Sequence, residues 1–271
     1  MTERHVLDDL NVRVLGDGEP TVVLAHGFGS DQRAWARQVE ALAPEHRVVL
    51  FDHLGSGGHD LAVDDPSVYG DLRHHRDNLL ALYDALGLRD TVFVGHSVSA
   101  MLGVEASIAR PECFRQLILI GGSPRYLDEP GYHGGFTRGD LEALYEAMAE
   151  DYLDWAGGFG EAAQGAASEP TLSERFAATL GAMRPDVAQS IARAIFESDF
   201  RALLPHVPVP VLIVQAREDI AVPVEVAYDM ASRLPEAEVV VLDAEGHLPH
   251  LTAPAQVNEI LRAALSSAAE R

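Results

Sequence analysis

Ser97, Asp219 and His247 are the residue types, in a workable chain order, that turn a hydroxyl into a nucleophile. A serine attacks poorly at neutral pH. An imidazole must take its proton, and a carboxylate must hold that imidazole in one tautomer and stabilise it when charged. The surroundings of Ser97 suit this task. The stretch Val94-Gly95-His96-Ser97-Val98-Ser99-Ala100 continues the apolar run Thr91-Val92-Phe93-Val94 and leads into a helical pattern, Val98 to Arg110. A serine on such a strand-to-helix turn stands above the sheet edge, beside the free backbone N–H groups of the new helix. The usual pattern at such an elbow is G-x-S-x-G, and here Ser99 takes the last place, small but not glycine. Alone, the turn reads equally well as a serine capping a helix. The remaining elements must decide.

His26-Gly27-Phe28-Gly29 follows the strand pattern Thr21 to Ala25 and precedes a helix through Trp35, Val39 and Leu42, with Ser30 or Asp31 as its N-cap. This loop presents the Phe28 N–H to the point that the Val98 N–H faces. Two such donors make an oxyanion hole. Asp219 lies just past the unbroken apolar strand Val211 to Gln215, with Glu218 as its rival. His247 follows Gly246 in the loop after the last strand, Glu238 to Leu242, and His250 is the alternative base. Elbow, donor loop, acid and base all fall at carboxyl ends of predicted strands. That coincidence points to an α/β-hydrolase fold and to cofactor-free acyl transfer. Serine at the elbow disfavours an aspartate-nucleophile dehalogenase.

The elements that must position these residues are an alternation of strands and helices, a mostly parallel sheet flanked by helices. Asn11 to Leu15 and Thr21 to Ala25 read as a hairpin-like pair across Gly16 to Pro20. After the strand Arg47 to Phe51, the glycines between Asp52 and Asp60 lack G-x-G-x-x-G spacing and read as a structural turn. Val68 to Leu86 is predicted as one amphipathic helix. His74 and His75 are placed on its solvated face, with no ligand partner at i+4 and no metal expected. Beyond the strand Gln116 to Gly121 the alternation stops. Short helical patterns (Arg138 to Ala149, Asp151 to Trp155, Leu172 to Leu180, Asp186 to Glu197) are broken by Gly157-Gly158, Pro170 and Pro185. The expected division is a core of residues 1–122 and 207–271 with a helical cap, 123–206, inserted in it. The cap region carries Tyr126, Phe136, Leu144, Trp155, Phe159, Phe176, Ile195 and Phe196, more apolar bulk than a small cap buries internally. Several should line an apolar chamber over Ser97, with His26 and His96 beside it.

Composition narrows the partners. The 271 residues carry a net charge of −22, from 42 acidic against 20 basic side chains, all of the latter arginine. Such a surface repels phosphate backbones and anionic lipid, which excludes nucleic acid and membrane as expected partners. No apolar stretch is long enough to span a bilayer, and Asp8-Asp9 stand where a signal peptide would be apolar, so a cytoplasmic protein is expected. Cys113 is the single cysteine, which excludes an internal disulfide and a cysteine metal cluster. Neither cofactor nor metal is expected.

A closer resemblance rests on His26-Gly-Phe-Gly29, Gly95-His-Ser-Val-Ser-Ala-Met101, Ser123-Pro-Arg-Tyr126, Gly131-Tyr-His-Gly-Gly-Phe136, Met183-Arg-Pro-Asp186 and Gly246-His-Leu-Pro-His250. With these motifs the chain resembles the karrikin- and strigolactone-receptor hydrolases of plants and the bacterial stress regulator RsbQ. Serine at position 99 is itself a feature of the plant receptors. The resemblance implies a V-shaped cap of four helices, slow hydrolysis of a small apolar ligand such as a butenolide, and signalling through a partner protein. By residue it implies catalysis by Ser97, Asp219 and His247, oxyanion donation by Phe28 and Val98, and a pocket lined by Phe136, Phe159, Phe176 and Phe196. The absence of lysine favours a bacterial homologue. A general metabolic carboxylesterase, and a ligand-perception module with incidental hydrolysis, stand as alternatives.

Overall fold

The computed structural model describes residues 3–56, 65–165 and 170–269. One sheet contains β1 (Arg13–Leu15), β2 (Val22–Ala25), β3 (Val48–Leu50), β4 (Thr91–His96), β5 (Phe114–Ile120), β6 (Val211–Glu218) and β7 (Ala237–Glu245). Their order is β1-β3-β2-β4-β5-β6-β7, and every pairing is parallel except that of β1 with β3. Around them lie α1 (Glu3–Asp9), α2 (Ala36–Leu42), α3 (Pro66–Tyr69), α4 (Leu72–Leu86), α5 (Val98–Ala109), α6 (Arg138–Glu150), α7 (Tyr152–Gln164), α8 (Pro170–Gly181), α9 (Pro185–Phe196), α10 (Val224–Arg233), α11 (Pro249–Thr252) and α12 (Pro254–Ala269).

Parallel strands covered on both faces must be apolar at every position, and the side-chain period of two then splits the core. Val23, Phe93, Leu117 and Ile213 join Leu79 and Leu82 of α4, Val104 of α5 and Val226 of α10 on one face. Val22, Val92, Ile118 and Leu212 join Leu42 of α2 and Val257 and Leu261 of α12 on the other. From β2 the chain moves outward to β3 and then returns to β4 on the opposite side of β2. Such a reversal opens a crevice at the carboxyl ends of the two strands. His26 follows β2 and Ser97 follows β4, so the crevice brings donor loop and elbow together. The four helices α6 to α9 are inserted between β5 and β6.

Three local expectations change. β1 pairs with β3 rather than forming a hairpin with β2, because both edges of β2 are taken, by β3 and β4. The turn between β1 and β2 packs instead on the start of β3, where Arg47 N donates to Gly18 O at 2.7 Å. The single helix predicted over 68–86 is two, α3 and α4, parted at Gly70. A Cβ on Gly70 would lie 2.3 Å from Ser190 Oγ of α9, and the Asp71 carboxylate starts α4 afresh by accepting from Arg73 N. His75 is buried, not solvated, and its Nε2 donates to Tyr69 O at 2.7 Å across that break. Finally, α7 runs through Gly157-Gly158. Its packing on α8 outweighs their poor helix propensity, and at Gly160 a Cβ would come within 3.1 Å of the Ala177 Cβ. Of the glycine turn after Asp52, residues 57–60 lie outside the described residues. No helix among the described residues is long and apolar enough to cross a membrane.

Candidate active site

Ser97 adopts φ 54° and ψ −121°, a conformation that non-glycine residues rarely adopt and that surrounding structure must enforce. Ser97 N donates to Ile120 O at 2.9 Å, which fixes the turn to β5. The bend is tight enough to require glycine on either flank. A Cβ on Gly95 would lie 2.6 Å from Ser99 O, and one on Gly122 2.5 Å from the Ala100 Cβ.

The Ser97 hydroxyl donates to His247 Nε2 at 2.9 Å. His247 Nδ1 donates to Asp219 Oδ2 at 2.9 Å and faces Oδ1 at 3.1 Å. Asp219 sits one residue past β6, its side chain almost wholly buried, and it also accepts from Ala221 N at 2.8 Å, Val222 N at 3.2 Å and Gln215 Nε2 at 3.1 Å. Burial alone would raise this carboxyl group. The His247 imidazole and the amide donors outweigh it and hold the acid below its ordinary range, so the carboxylate stays ionised. Glu218, the rival acid, is exposed. The loop carrying the base is pinned from two sides: Gly246 N donates to Glu218 O at 2.7 Å, and His247 N donates to Ala163 O of α7 at 2.6 Å.

Across the crevice, a Cβ on Gly27 would lie 3.0 Å from the Ser97 Cβ, so only glycine lets the donor loop approach so closely. Among the described residues, neither Phe28 N nor Val98 N has an acceptor. Two amides without acceptors beside a serine are placed to receive a developing negative charge. A cavity of about 30 Å³ lies against Phe28 and Val98 and reaches Met183 and Ile191, room for water rather than substrate.

The family model described as the alpha/beta hydrolase fold matches residues 20–254. This chain belongs to that family. It is 44% identical to a strigolactone esterase of Arabidopsis thaliana over 98% of the chain and 99% of the relative. It is also 44% identical to a karrikin insensitive 2 receptor of Petunia hybrida, over 93% of each. Among solved structures, a hydrolase from Oleispira antarctica superposes with a TM-score of 0.94 at 32% identity, covering 98% of both chains.

Within this α/β hydrolase the expected pocket residues fall into three groups. Tyr126, Phe136 and Phe196 form a cluster of rings with centroids 5.1 to 6.5 Å apart, and Ser97 is among the groups acting on the Tyr126 hydroxyl, which burial pushes up. Trp155 and Phe159 stack along α7, and Phe176 of α8 adjoins them at 6.3 Å, while Leu144 and Ile195 lie in the same apolar cluster on α6 and α9. The third group, His26 and His96, makes its hydrogen bonds to the protein backbone. His96 Nε2 donates to His247 O at 2.8 Å, and its ring packs between those of His247 and His250. His26 is tied into the donor loop. His250, the alternative base, is buried against Trp35 at 4.5 Å, and neither of its ring nitrogens has a partner among the described residues. Desolvation lowers it to about 3, so it stays neutral.

Three residues escaped the sequence reading. Gln215 supports Asp219, and a polar residue ending a buried strand was the available signal. Ser99 stands out in sequence by its size and its resemblance to the plant receptors, not by its hydroxyl, which donates to His26 O at 2.5 Å. His53 carried no local signal, and its Nε2 lies 2.7 Å from Ser99 Oγ.

Proposed function

We propose that this α/β hydrolase is a cofactor-independent serine hydrolase that cleaves a small apolar ester or a butenolide-type lactone or enol ether. The observation that carries the reading is the continuous hydrogen-bonded chain from Ser97 through His247 to Asp219. In this reading Ser97 Oγ attacks the carbonyl carbon while His247 Nε2 takes its proton. The carbonyl oxygen, now negative, sits between Phe28 N–H and Val98 N–H. Collapse of the tetrahedral intermediate expels the alkoxide or enolate, which leaves with the proton from His247. Water then attacks the acyl-enzyme with His247 again as base, and Asp219 holds the imidazole throughout. The division into a core of residues 1–122 and 207–271 and a cap of 123–206 belongs to the proposal. So does the chamber formed by Tyr126, Phe136, Phe159, Phe176 and Phe196. The ligand class is supported by the names of the Arabidopsis and petunia relatives and by the aromatic rings beside the serine. The receptor named in petunia extends the proposal to ligand sensing, with α6 to α9 as the surface that a signalling partner protein would contact.

Mass spectrometry of protein incubated with a panel of synthetic butenolides tests the reading. An adduct on Ser97 or His247 that is absent from Ser97→Ala is the expected result. Turnover of hundreds per second on simple esters, with no adduct from any butenolide, would instead favour a metabolic carboxylesterase.

A further inference from the structure

The two oxyanion donors sit on different elements, Phe28 N–H on the loop after β2 and Val98 N–H on the first turn of α5. Something must fix the distance between them. Ser99 is the residue next to Val98 and is fully buried. Its hydroxyl has one proton, and since His26 O can only accept, that proton goes to His26 O. His53 Nε2, 2.7 Å from the same oxygen, must therefore be the donor to it, which fixes the His53 tautomer. The network continues into the loop. His53 N donates to His26 Nε2 at 3.1 Å, which leaves the His26 proton on Nδ1, and Nδ1 donates to Gly27 O at 2.8 Å. Ser30 N donates to the same carbonyl at 3.3 Å. Gly27 O and Phe28 N–H belong to one planar trans peptide unit and point in opposite directions. Whatever holds the carbonyl therefore aims the amide.

We propose that Ser99 and His53 are positioning residues for the oxyanion hole, a buried clamp that sets Phe28 N–H against Val98 N–H. The backbone of His26 is tied to α5 by the Ser99 hydroxyl, and its ring is tied to the end of β3 by the His53 amide. Asp52 anchors that end of β3, accepting from Gln32 N and Asn11 Nδ2 at 2.8 Å each. Both His26 and His53 are buried, and desolvation lowers both, so each is neutral and its pattern of donor and acceptor is stable. The hydroxyl at position 99 thus has a function that glycine in the common elbow pattern cannot supply. The inference rests on the serine-hydrolase reading.

The test separates clamping from simple structural support. Removing an oxyanion donor outright costs about 10²–10³ in rate, so misaiming one should cost about 10- to 100-fold. Ser99→Ala and Ser99→Gly should lose that much in kcat on p-nitrophenyl acetate while KM changes by less than about threefold. Affinity for phenylboronic acid, which forms a tetrahedral adduct on the serine, should fall by the same factor. Affinity for acetanilide, an unreactive ground-state analogue, should hold. His53→Leu should behave like Ser99→Ala, and His53→Gln, whose Nε2 can replace the imidazole donor, should recover most of the rate. Should Ser99→Ala not fold, the double variant Ser99→Ala/His53→Leu leaves only the His26 carbonyl without its donor and carries the same expectation. Folded variants within twofold of wild type would overturn the clamp, as would equal losses for boronate and acetanilide. Wild-type protein inert towards every ester would defeat the hydrolase reading itself, a different outcome.

Discussion

The two sides of Ser97 are built by different physics. On the oxyanion side, the partners of Ser99, His53 and His26 are directional hydrogen bonds, several between 2.5 and 2.8 Å. Behind the base, His96 gives one hydrogen bond to His247 O, while His96 Nδ1 and both nitrogens of His250 are buried without partners among the described residues. There the rings of Trp35, His250 and His96 pack in tilted contacts with centroids 4.5 Å apart. Directional bonds fix an angle, whereas ring contacts fill space. Angles matter where a charge develops in the transition state. Substitutions on the first side should therefore show in the rate, and substitutions on the second in stability.

The largest effect should come from the atom common to both sides. Ser97→Ala should reduce kcat on p-nitrophenyl acetate by about 10⁶ with an unchanged fold, in line with removal of a triad serine elsewhere. Steady-state rates within tenfold of wild type would remove Ser97 from the mechanism. Next in size is the acid. Asp219→Asn should cost about 10⁴ in kcat through the wrong imidazole tautomer, and Glu218→Gln almost nothing, because Glu218 is exposed. The reverse ranking would reassign the carboxylate.

Stability against pH probes the buried histidines of both sides and His75 of α4. His26, His53, His75, His96 and His250 are all buried and all lowered, chiefly by desolvation. Their folded pKa values lie below the unfolded value of about 6.5, so below that pH the unfolded chain binds more protons and stability falls. Each contributes a slope of up to about 1.4 kcal/mol per pH unit at pH values well below 6.5 and well above its folded pKa. Asp219, lowered as an acid, adds its own loss only at still lower pH. Thermal melts should drop steeply between pH 7 and pH 5. A flat Tm over that interval would contradict neutral burial of these rings. The smallest expected effect is on catalysis by His250→Phe, with kcat/KM within about threefold of wild type. The same variant should flatten the Tm profile by removing one titrating ring. A tenfold loss of rate would mean that the two sides are not separable as drawn.

Most of the catalytic apparatus was legible in the sequence because each part sits on a sharp local pattern. An apolar run ends, and the chemistry-bearing residue follows within three or four positions, as with Ser97 after Val94 or Asp219 after Gln215. The aromatic residues between β5 and β6 stand out in the sequence as a group, and the structure gathers them into two ring clusters, Tyr126 with Phe136 and Phe196, and Trp155 with Phe159 and Phe176. Illegible were partnerships that only the sheet order creates. His53 meets Ser99 because β3 and β4 flank β2, 46 residues apart in sequence. For the same reason β1 was assigned to the wrong neighbour, since a strand with two filled edges cannot close a hairpin. The break at Gly70 and the continuity through Gly157-Gly158 were set by contacts with α9 and α8, which local propensity does not contain.

The bond from His247 N to Ala163 O places the carboxyl end of α7 directly against the base. A helix ends in carbonyls that carry roughly half a negative charge, and α7 has no basic residue in its last turn to offset it. The hydrogen bond gives one of those carbonyls its donor and ties the loop of the base to the end of that helix. Displacing α7 would break that bond and free the loop of the base without touching any side chain of the triad. The inserted helices therefore help to hold the backbone that carries His247 in place. Hydrogen exchange at the His247 amide, with and without ligand, reads the linkage directly: protection independent of α7 would disconnect the two.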